Sequence, residues 1–508
     1  MDLVTTWRAL SLNVKNPIAR RNAAWLMTGK MIGLGALLAV MSWFLPTVAH
    51  AQTAATPMDP MLTVNAVNTA WTLIAAFLVF GMQVGFVMLE SGFTRERESI
   101  NILVEGIADT CICGVLFWAV GFAFMFEDGT PILGTHGFFL QGLGDTYGTT
   151  GVPLLAFWVF QFAFADTAST ITSGAMIGRC GFIGDILYSI GVTGFIYPIM
   201  GHWAWGPDGW LAANNFHDFA GSTVVHTIGG TVSLVGAIAL GPRLGRVFKR
   251  DGGGPIAPHN IIFGAVGGLI LWFGWYGFNP GSTLSALDAA GIGRVAFNTT
   301  MAACSAGLAA LFISYFRTKK WDLGLTVNGF LAGLVAITCP CYWVSPTGAF
   351  FIGIGASIVM VLAIEALEWL RIDDPIGAVP VHMAAGMYGT MSLGLFATGA
   401  YGAPTATGAD TSSTVTGLFY GGGIDQLVTQ TYGTFAIAAG VFVASLIVMY
   451  AVKATGTLRI SHEGELEGLD FHEHGAHAYP DFITERKMAT LTGNGASAGK
   501  VGSLVETA

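Results

Sequence analysis

About eleven apolar stretches, each long enough to cross roughly 30 Å of hydrocarbon, leave this chain few ways to fold. They centre near Leu78, Leu116, Phe160, Val192, Ser233, Leu269, Gly307, Leu331, Val359, Tyr388 and Phe442. Only 10% of the residues are charged and 53% are hydrophobic, whereas soluble domains carry roughly 25% charged residues. The expectation is an all-α polytopic membrane protein, and the 70 glycines suit helices that pack closely in a bilayer. Net charge is −9 with no basic tract suited to nucleic acid.

Charges in the connections alternate. Arg95 and Arg97 follow the first stretch, Arg179 the third, Arg243, Arg246, Lys249 and Arg250 the fifth. Arg317, Lys319 and Lys320 follow the seventh, and Arg371 the ninth. The intervening connections hold Glu127, Asp128, Asp145, Asp208, Asp288, Asp410 and Asp425, with Arg294 as their basic residue. Positive-inside bias then places the N-terminus outside and the C-terminus in the cytoplasm.

Residues 1–51 read as a cleavable signal region. Arg20, Arg21 and Lys30 precede the apolar run Met31 to Leu45, and Ala49-His50-Ala51 offers a small-residue cut site; the alternative is an uncleaved first helix. A membrane domain over 63–455 and a cytoplasmic tail over 456–508 follow. Cys111, Cys113, Cys180, Cys304, Cys339 and Cys341 lie in or beside apolar runs without paired spacing, so they are expected as buried small apolar residues. His462, His472, His474 and His477 are irregularly spaced among acids in the tail. A docking segment is expected there in preference to a metal site, with a disordered end over Leu491 to Ala508.

One pattern occurs twice. Asp218-Phe-Ala-Gly-Ser-Thr-Val-Val-His226 and Asp374-Pro-Ile-Gly-Ala-Val-Pro-Val-His382 share Asp, Gly, Val and His at equal spacing, and Gly230 and Gly386 follow four positions on. The copies fall in the fifth and tenth stretches. Two five-helix inverted repeats plus an eleventh helix are expected, with any transport path at the repeat interface. Each copy puts an imidazole at membrane depth, where an ionisable group is costly and marks a functional site by default. Two adjacent buried imidazoles would share one proton, donor to acceptor. Asp218 and Asp374 are expected to cap the histidine-bearing helices.

Aromatic residues supply the second feature. Phe160 and Phe164 lie four apart on one face of the third stretch. Trp205 ends the fourth, and Gly274-Trp-Tyr-Gly-Phe-Asn-Pro-Gly-Ser282 ends the sixth on the same side. Such residues usually form an interfacial belt, but converging rings with a hydroxyl would make a cation-binding cup.

Taken together, these stretches resemble the Amt branch of the ammonium transporter (Amt/Rh) family. The carrying motifs include GMQVGFVMLESGF (Gly81–Phe93), FQFAFADTASTITSGA (Phe160–Ala175), YPIMGHWAWGPDGWL (Tyr197–Leu211), LWFGWYGFNPGS (Leu271–Ser282), DDPIGAVPVHMAAGMYGT (Asp373–Thr390) and ELEGLDFHEHGAHAYP (Glu465–Pro480). The resemblance implies an outer ammonium site at Trp205, Phe160, Phe164 and Ser282, a paired gate of Phe164 and Phe278, pore histidines His226 and His382, and a supporting Asp218. It also implies a homotrimer with one pore per subunit, a bacterial inner membrane and a PII-type signalling protein as partner of the tail. No enzyme, cofactor or metal is implied. Ile177-Gly178-Arg179, Glu105-Gly106 and Asp166 depart from the family pattern, and Asp166 is expected to hydrogen-bond a neighbouring helix. The function expected is ammonium transport: recruitment, deprotonation and passage of ammonia, with or without the proton, with methylammonium as a possible substrate. An ammonium sensor acting through a cytoplasmic partner and a passive gas channel are the alternatives.

Overall fold

The structure is a computed structural model that describes residues 60–148, 150–410 and 414–480. The signal region and the chain end beyond 480 lie outside these residues. Two compact units divide the chain, 1–63 and 64–508, and of the first only the opening turn of a helix is described.

Among the described residues nine helices are long and apolar enough to cross a membrane. In chain order they are α1 (Met61–Phe93), α2 (Glu96–Phe126), α3 (Leu154–Ser173), α4 (Phe182–Trp205), α5 (Ser222–Leu240), α6 (Ile261–Thr283) and α7 (Ala289–Thr318), then α9 (Pro346–Leu370) and α11 (Asp425–Ala454). Two of the expected stretches are shorter. Helix α8 is Leu323–Ile337, and α10 is a π-turn, Val379–Ala384, running into Ala385–Phe396. Two small hairpins, β1–β2 (Thr146–Tyr147, Val152–Pro153) and β3–β4 (Ala403–Thr405, Gly408–Asp410), decorate one end of the bundle.

Local chemistry explains the helix ends. Asn260, Asp288, Asp322 and Ser345 each accept a hydrogen bond from the backbone N–H three residues on, opening α6, α7, α8 and α9. These caps satisfy donors that a helix start leaves free. Apolar side chains such as Phe77, Ile107, Leu155, Phe273, Leu362 and Ile447 are turned outward, the arrangement hydrocarbon favours. Cys111 and Cys304 share that outward position; Cys113, Cys180, Cys339 and Cys341 are buried. The expectation of six buried thiols therefore fails at two, which sit on the outward faces of α2 and α7.

The tail closes one end of the bundle. Helices α12 (His462–Glu467) and α13 (Leu469–His474) lie against the connections that follow α1 and α5, and the segment before them pairs through Leu458 and Ile460 with Gly181 and Arg179 after α3. Buried Glu465 accepts from the Leu244 N–H at 2.5 Å and from Arg459 at 2.8 Å. Asp470 accepts from the Asn101 N–H at 2.9 Å, and Arg97 donates to the Leu466 carbonyl at 2.7 Å. The tail histidines are spread out. His472 pairs with Glu467, His474 with Asn101 at 2.9 Å, and His477 stacks on Phe471.

At the same end, Arg243 donates from Nε and Nη2 to the two carboxylate oxygens of Asp373 at 2.8 and 3.0 Å. Burial would raise the Asp373 carboxyl, but the Arg243 guanidinium outweighs it and holds the group well below the usual carboxylate range. A depressed folded-state value means stability that is present above the unfolded value near ~3.9 and lost only as pH falls toward the folded one. The unfolding temperature of Asp373→Asn is therefore expected to lie below the parent's by a constant margin from pH 7 to about pH 4, narrowing only in stronger acid. A margin that already closes at pH 6 would contradict this.

Candidate functional site

Both Asp-to-His stretches fold alike. The Asp218 carboxylate accepts four backbone N–H groups, from Gly221, Ser222, Thr223 and Val224, at 2.8 to 3.0 Å. Asp374 accepts three, from Gly377, Ala378 and Val379. Between carboxylate and helix the chain turns through Gly221 (φ +115°) and Gly377 (φ +83°), a conformation open to glycine without strain. Each histidine then sits in a π-turn, Ser222–Thr227 or Val379–Ala384. The extra residue of a π-turn re-aims side chains and often marks a working site.

The two imidazoles meet. His226 Nδ1 and His382 Nδ1 are 3.2 Å apart and the rings stack at 5.3 Å and 26°. At that distance one nitrogen donates and the other accepts, so the rings carry opposite tautomers or share one proton. The glycines four positions on explain the approach. A Cβ on Gly230 would stand 2.4 Å from the Met383 nitrogen, and one on Gly386 would stand 2.5 Å from the Ser222 carbonyl oxygen. Only bare backbone lets α5 and α10 cross here.

A column of rings leads to the pair from the end opposite the tail. Phe160 and Phe164 lie 4.6 Å apart, and Phe164 stacks on Phe278 at 4.0 Å. Phe278 in turn stacks on His226 at 5.4 Å. Above Phe164 opens a recess of about 380 Å³ lined by Phe160, Phe164, Trp205 and Ser282, with Gln161 and Tyr147. Trp205 is fixed there by its indole N–H, which donates to the Asp218 main-chain oxygen at 2.7 Å. The Ser282 hydroxyl donates to the Phe278 carbonyl at 2.8 Å, which leaves its oxygen to face the recess as an acceptor.

On the tail side of the pair lies a second, small recess of about 20 Å³. His382, Phe86, Glu90, Asn328 and Val381 line it. The two recesses thus lie on opposite sides of a buried stack of two phenylalanines and two imidazoles.

Sequence reasoning placed Trp275 at a membrane boundary; the structure places it fully buried and stacked on His226 at 5.1 Å. Its indole N–H donates to Thr338 at 2.9 Å, which fixes the ring. Trp275 and Phe278 lie three apart on one helical face, a spacing that could have announced both. Glu90 was also passed over, although an acid inside an apolar stretch obeys the same rule that singled out the histidines.

The departures from the family pattern find partners. The Thr110 hydroxyl of α2 donates to Asp166 of α3 at 3.2 Å. Asn101 donates to Glu105 at 2.8 Å. Arg179 is fully buried and gives its protons to the carbonyls of Ile177, Gly241 and Asp373, which serve in place of an acidic neighbour.

An apolar exterior and long apolar helices define a multi-pass membrane protein. Residues 70–479 match the model of the Ammonium Transporter Family. The ammonium transporter Amt2 of Archaeoglobus fulgidus is 41% identical over 444 residues, 84% of this chain and 92% of that one. A solved structure described as a sensor Amt protein superposes with a TM-score of 0.73 at 36% identity, covering 80% of this chain and 98% of that one. Mep2 of Saccharomyces cerevisiae does so with a TM-score of 0.72 at 28% identity, covering 78% and 88%. The chain belongs to the ammonium transporter family, whose members are transporters and not enzymes.

Proposed function

We propose that the protein carries ammonium into the cell across a bacterial inner membrane, as a homotrimer with one lumen per subunit. On this reading the shorter α8 and α10 also cross the bilayer. This makes eleven spans in two inverted five-helix repeats with a cytoplasmic tail. Ammonium collects in the wide recess, where the faces of Trp205 and Phe160 and the Ser282 oxygen replace part of its water. The stacked rings of Phe164 and Phe278 then bar a hydrated ion. An apolar lumen cannot hold the cation cheaply, so ammonium gives up its proton and ammonia passes His226 and His382. Potassium has no proton to give up and stays behind. The observation that carries this reading is the Nδ1···Nδ1 contact of 3.2 Å directly below the ring gate. Such a contact fixes opposite tautomers, so that one Nε2 is left as a donor and the other as an acceptor in an otherwise apolar setting.

In a host stripped of its own ammonium uptake, expression is expected to restore growth on scarce ammonium. Protein present in the membrane without growth would contradict the reading. Trp205→Leu is expected to raise the half-saturating ammonium concentration about 5- to 30-fold. That range corresponds to a cation–π contribution on the order of 1–2 kcal/mol in a partly dry site. Initial uptake rates against concentration check it, and an unchanged half-saturation removes the cup from the account.

A sensor is the second reading, favoured by the likeness to a sensor Amt protein and by the tail packed on its own connections. It would act through a separate partner such as a PII-type signalling protein binding at the tail. Pull-down under nitrogen excess and starvation separates the two readings.

A further inference from the structure

Glu90 belongs to no role considered so far, and its setting is unusual. It sits one turn from the end of α1, buried at 3% exposure among apolar side chains. One carboxylate oxygen, Oε2, has the Ser173 hydroxyl at 3.4 Å; the other, Oε1, has no partner among the described residues. A buried carboxylate oxygen without a donor is costly, so something outside the protein chain is expected to meet it. Glu90 also lines the small recess into which His382 opens. That recess of about 20 Å³ has room for one water, which needs on the order of 10–15 Å³. Geometry therefore joins an imidazole, a single water site and an unsatisfied carboxylate oxygen at the exit of the lumen.

We infer that Glu90 is the proton acceptor at the exit of the histidine pair. This rests on the proposed ammonium transport and specifies where its proton goes. The proton taken from ammonium travels through the His226–His382 contact. The His382 imidazolium releases an N–H proton to the water in the recess, and that water passes one to Glu90 Oε1. Imidazole returns to its neutral form, the carboxylate becomes a carboxylic acid, and no other bond changes. Ammonia leaves beside it, and the acid gives up its proton toward the tail-bearing end, where α1 stops one helical turn on. The other titratable groups facing Glu90 are Asp185 on α4 and Glu105 on α2, while α3 presents Ser173 and α6 presents Leu271.

The test uses the full chain in vesicles, with two readouts after an ammonium pulse. One is current across a supported membrane; the other is internal alkalinisation above that of protein-free vesicles, which follows ammonia alone. In Glu90→Gln, which keeps size and shape, current is expected to fall at least tenfold while alkalinisation rises above the parent's, because ammonia then enters without its proton. Glu90→Asp is expected to recover more than half of the current. Equal current in Glu90→Gln and parent overturns the inference. So does loss of both readouts in Glu90→Gln and Glu90→Asp alike, which would mark a structural residue. A parent that restores growth on scarce ammonium but carries no ammonium current overturns this inference alone, whereas a parent that restores no growth refutes the transport reading itself, and the two failures are thereby distinguished.

Discussion

Leucine at both His226 and His382 is expected to abolish the ammonium-evoked current while leaving the protein folded. The physical ground is the ring column. His226 stacks with Trp275, Phe278 and His382, so a side chain of similar bulk keeps the packing. What disappears is the only polar contact described along that stretch, the 3.2 Å bridge between the two Nδ1 atoms. Without it neither proton nor ammonia finds a hydrogen bond between the ring gate and the exit. Single substitutions are expected to be nearly as severe as the double one, because each leaves the other imidazole without its partner. Residues that act as one unit are non-additive in this way. Unfolding temperature in detergent should change by only a few degrees. Undiminished ammonium current in the double variant would remove the imidazoles from the mechanism.

The second large effect concerns folding. Asp218→Ala is expected to prevent accumulation of folded protein, because it deprives four buried N–H groups of their acceptor at once. An unmet buried donor costs about 1–3 kcal/mol, and four of them approach the whole 5–15 kcal/mol margin of a typical domain. Asp218→Asn should be intermediate. Its amide oxygen still accepts from two of the N–H groups, but its NH₂ then faces the other two, donor against donor. Asp374→Ala should be milder than Asp218→Ala, since three N–H groups are involved and that site is only half-buried. The yield of monodisperse protein and its unfolding temperature report the ranking. An alanine variant at position 218 as stable as the asparagine one would contradict it.

Much of this was legible before any coordinates. The repeated spacing of Asp, Gly, Val and His announced two matching turns, because a carboxylate cap, a positive-φ glycine and a close-packed glycine each demand one residue type. Phe160, Phe164, Trp205, Phe278 and Ser282 could be drawn toward one end by their place at the ends or along one face of apolar stretches; the structure gathers four of them around one recess and stacks Phe278 beneath Phe164. Other features depend on the crossing of distant helices and leave no local trace. Trp275 reads as an interfacial ring until α5 is brought against α6. The π-turn that opens α10 makes its regular helix too short to register as a span by length. Whether a cysteine of an apolar stretch faces outward, as Cys111 and Cys304 do, depends on which face its neighbours cover. Glu90 was visible in the sequence, but its significance lies in the recess it shares with His382.

The most direct test of the account is the current that follows an ammonium pulse over vesicles of the parent protein on a supported membrane, with a potassium pulse as control. The account predicts a current for ammonium and none for potassium, because only ammonium can leave its charge at the gate and send its proton along the imidazoles. Equal currents for the two ions would mean that the lumen passes hydrated or bare cations, and the deprotonation mechanism would be wrong.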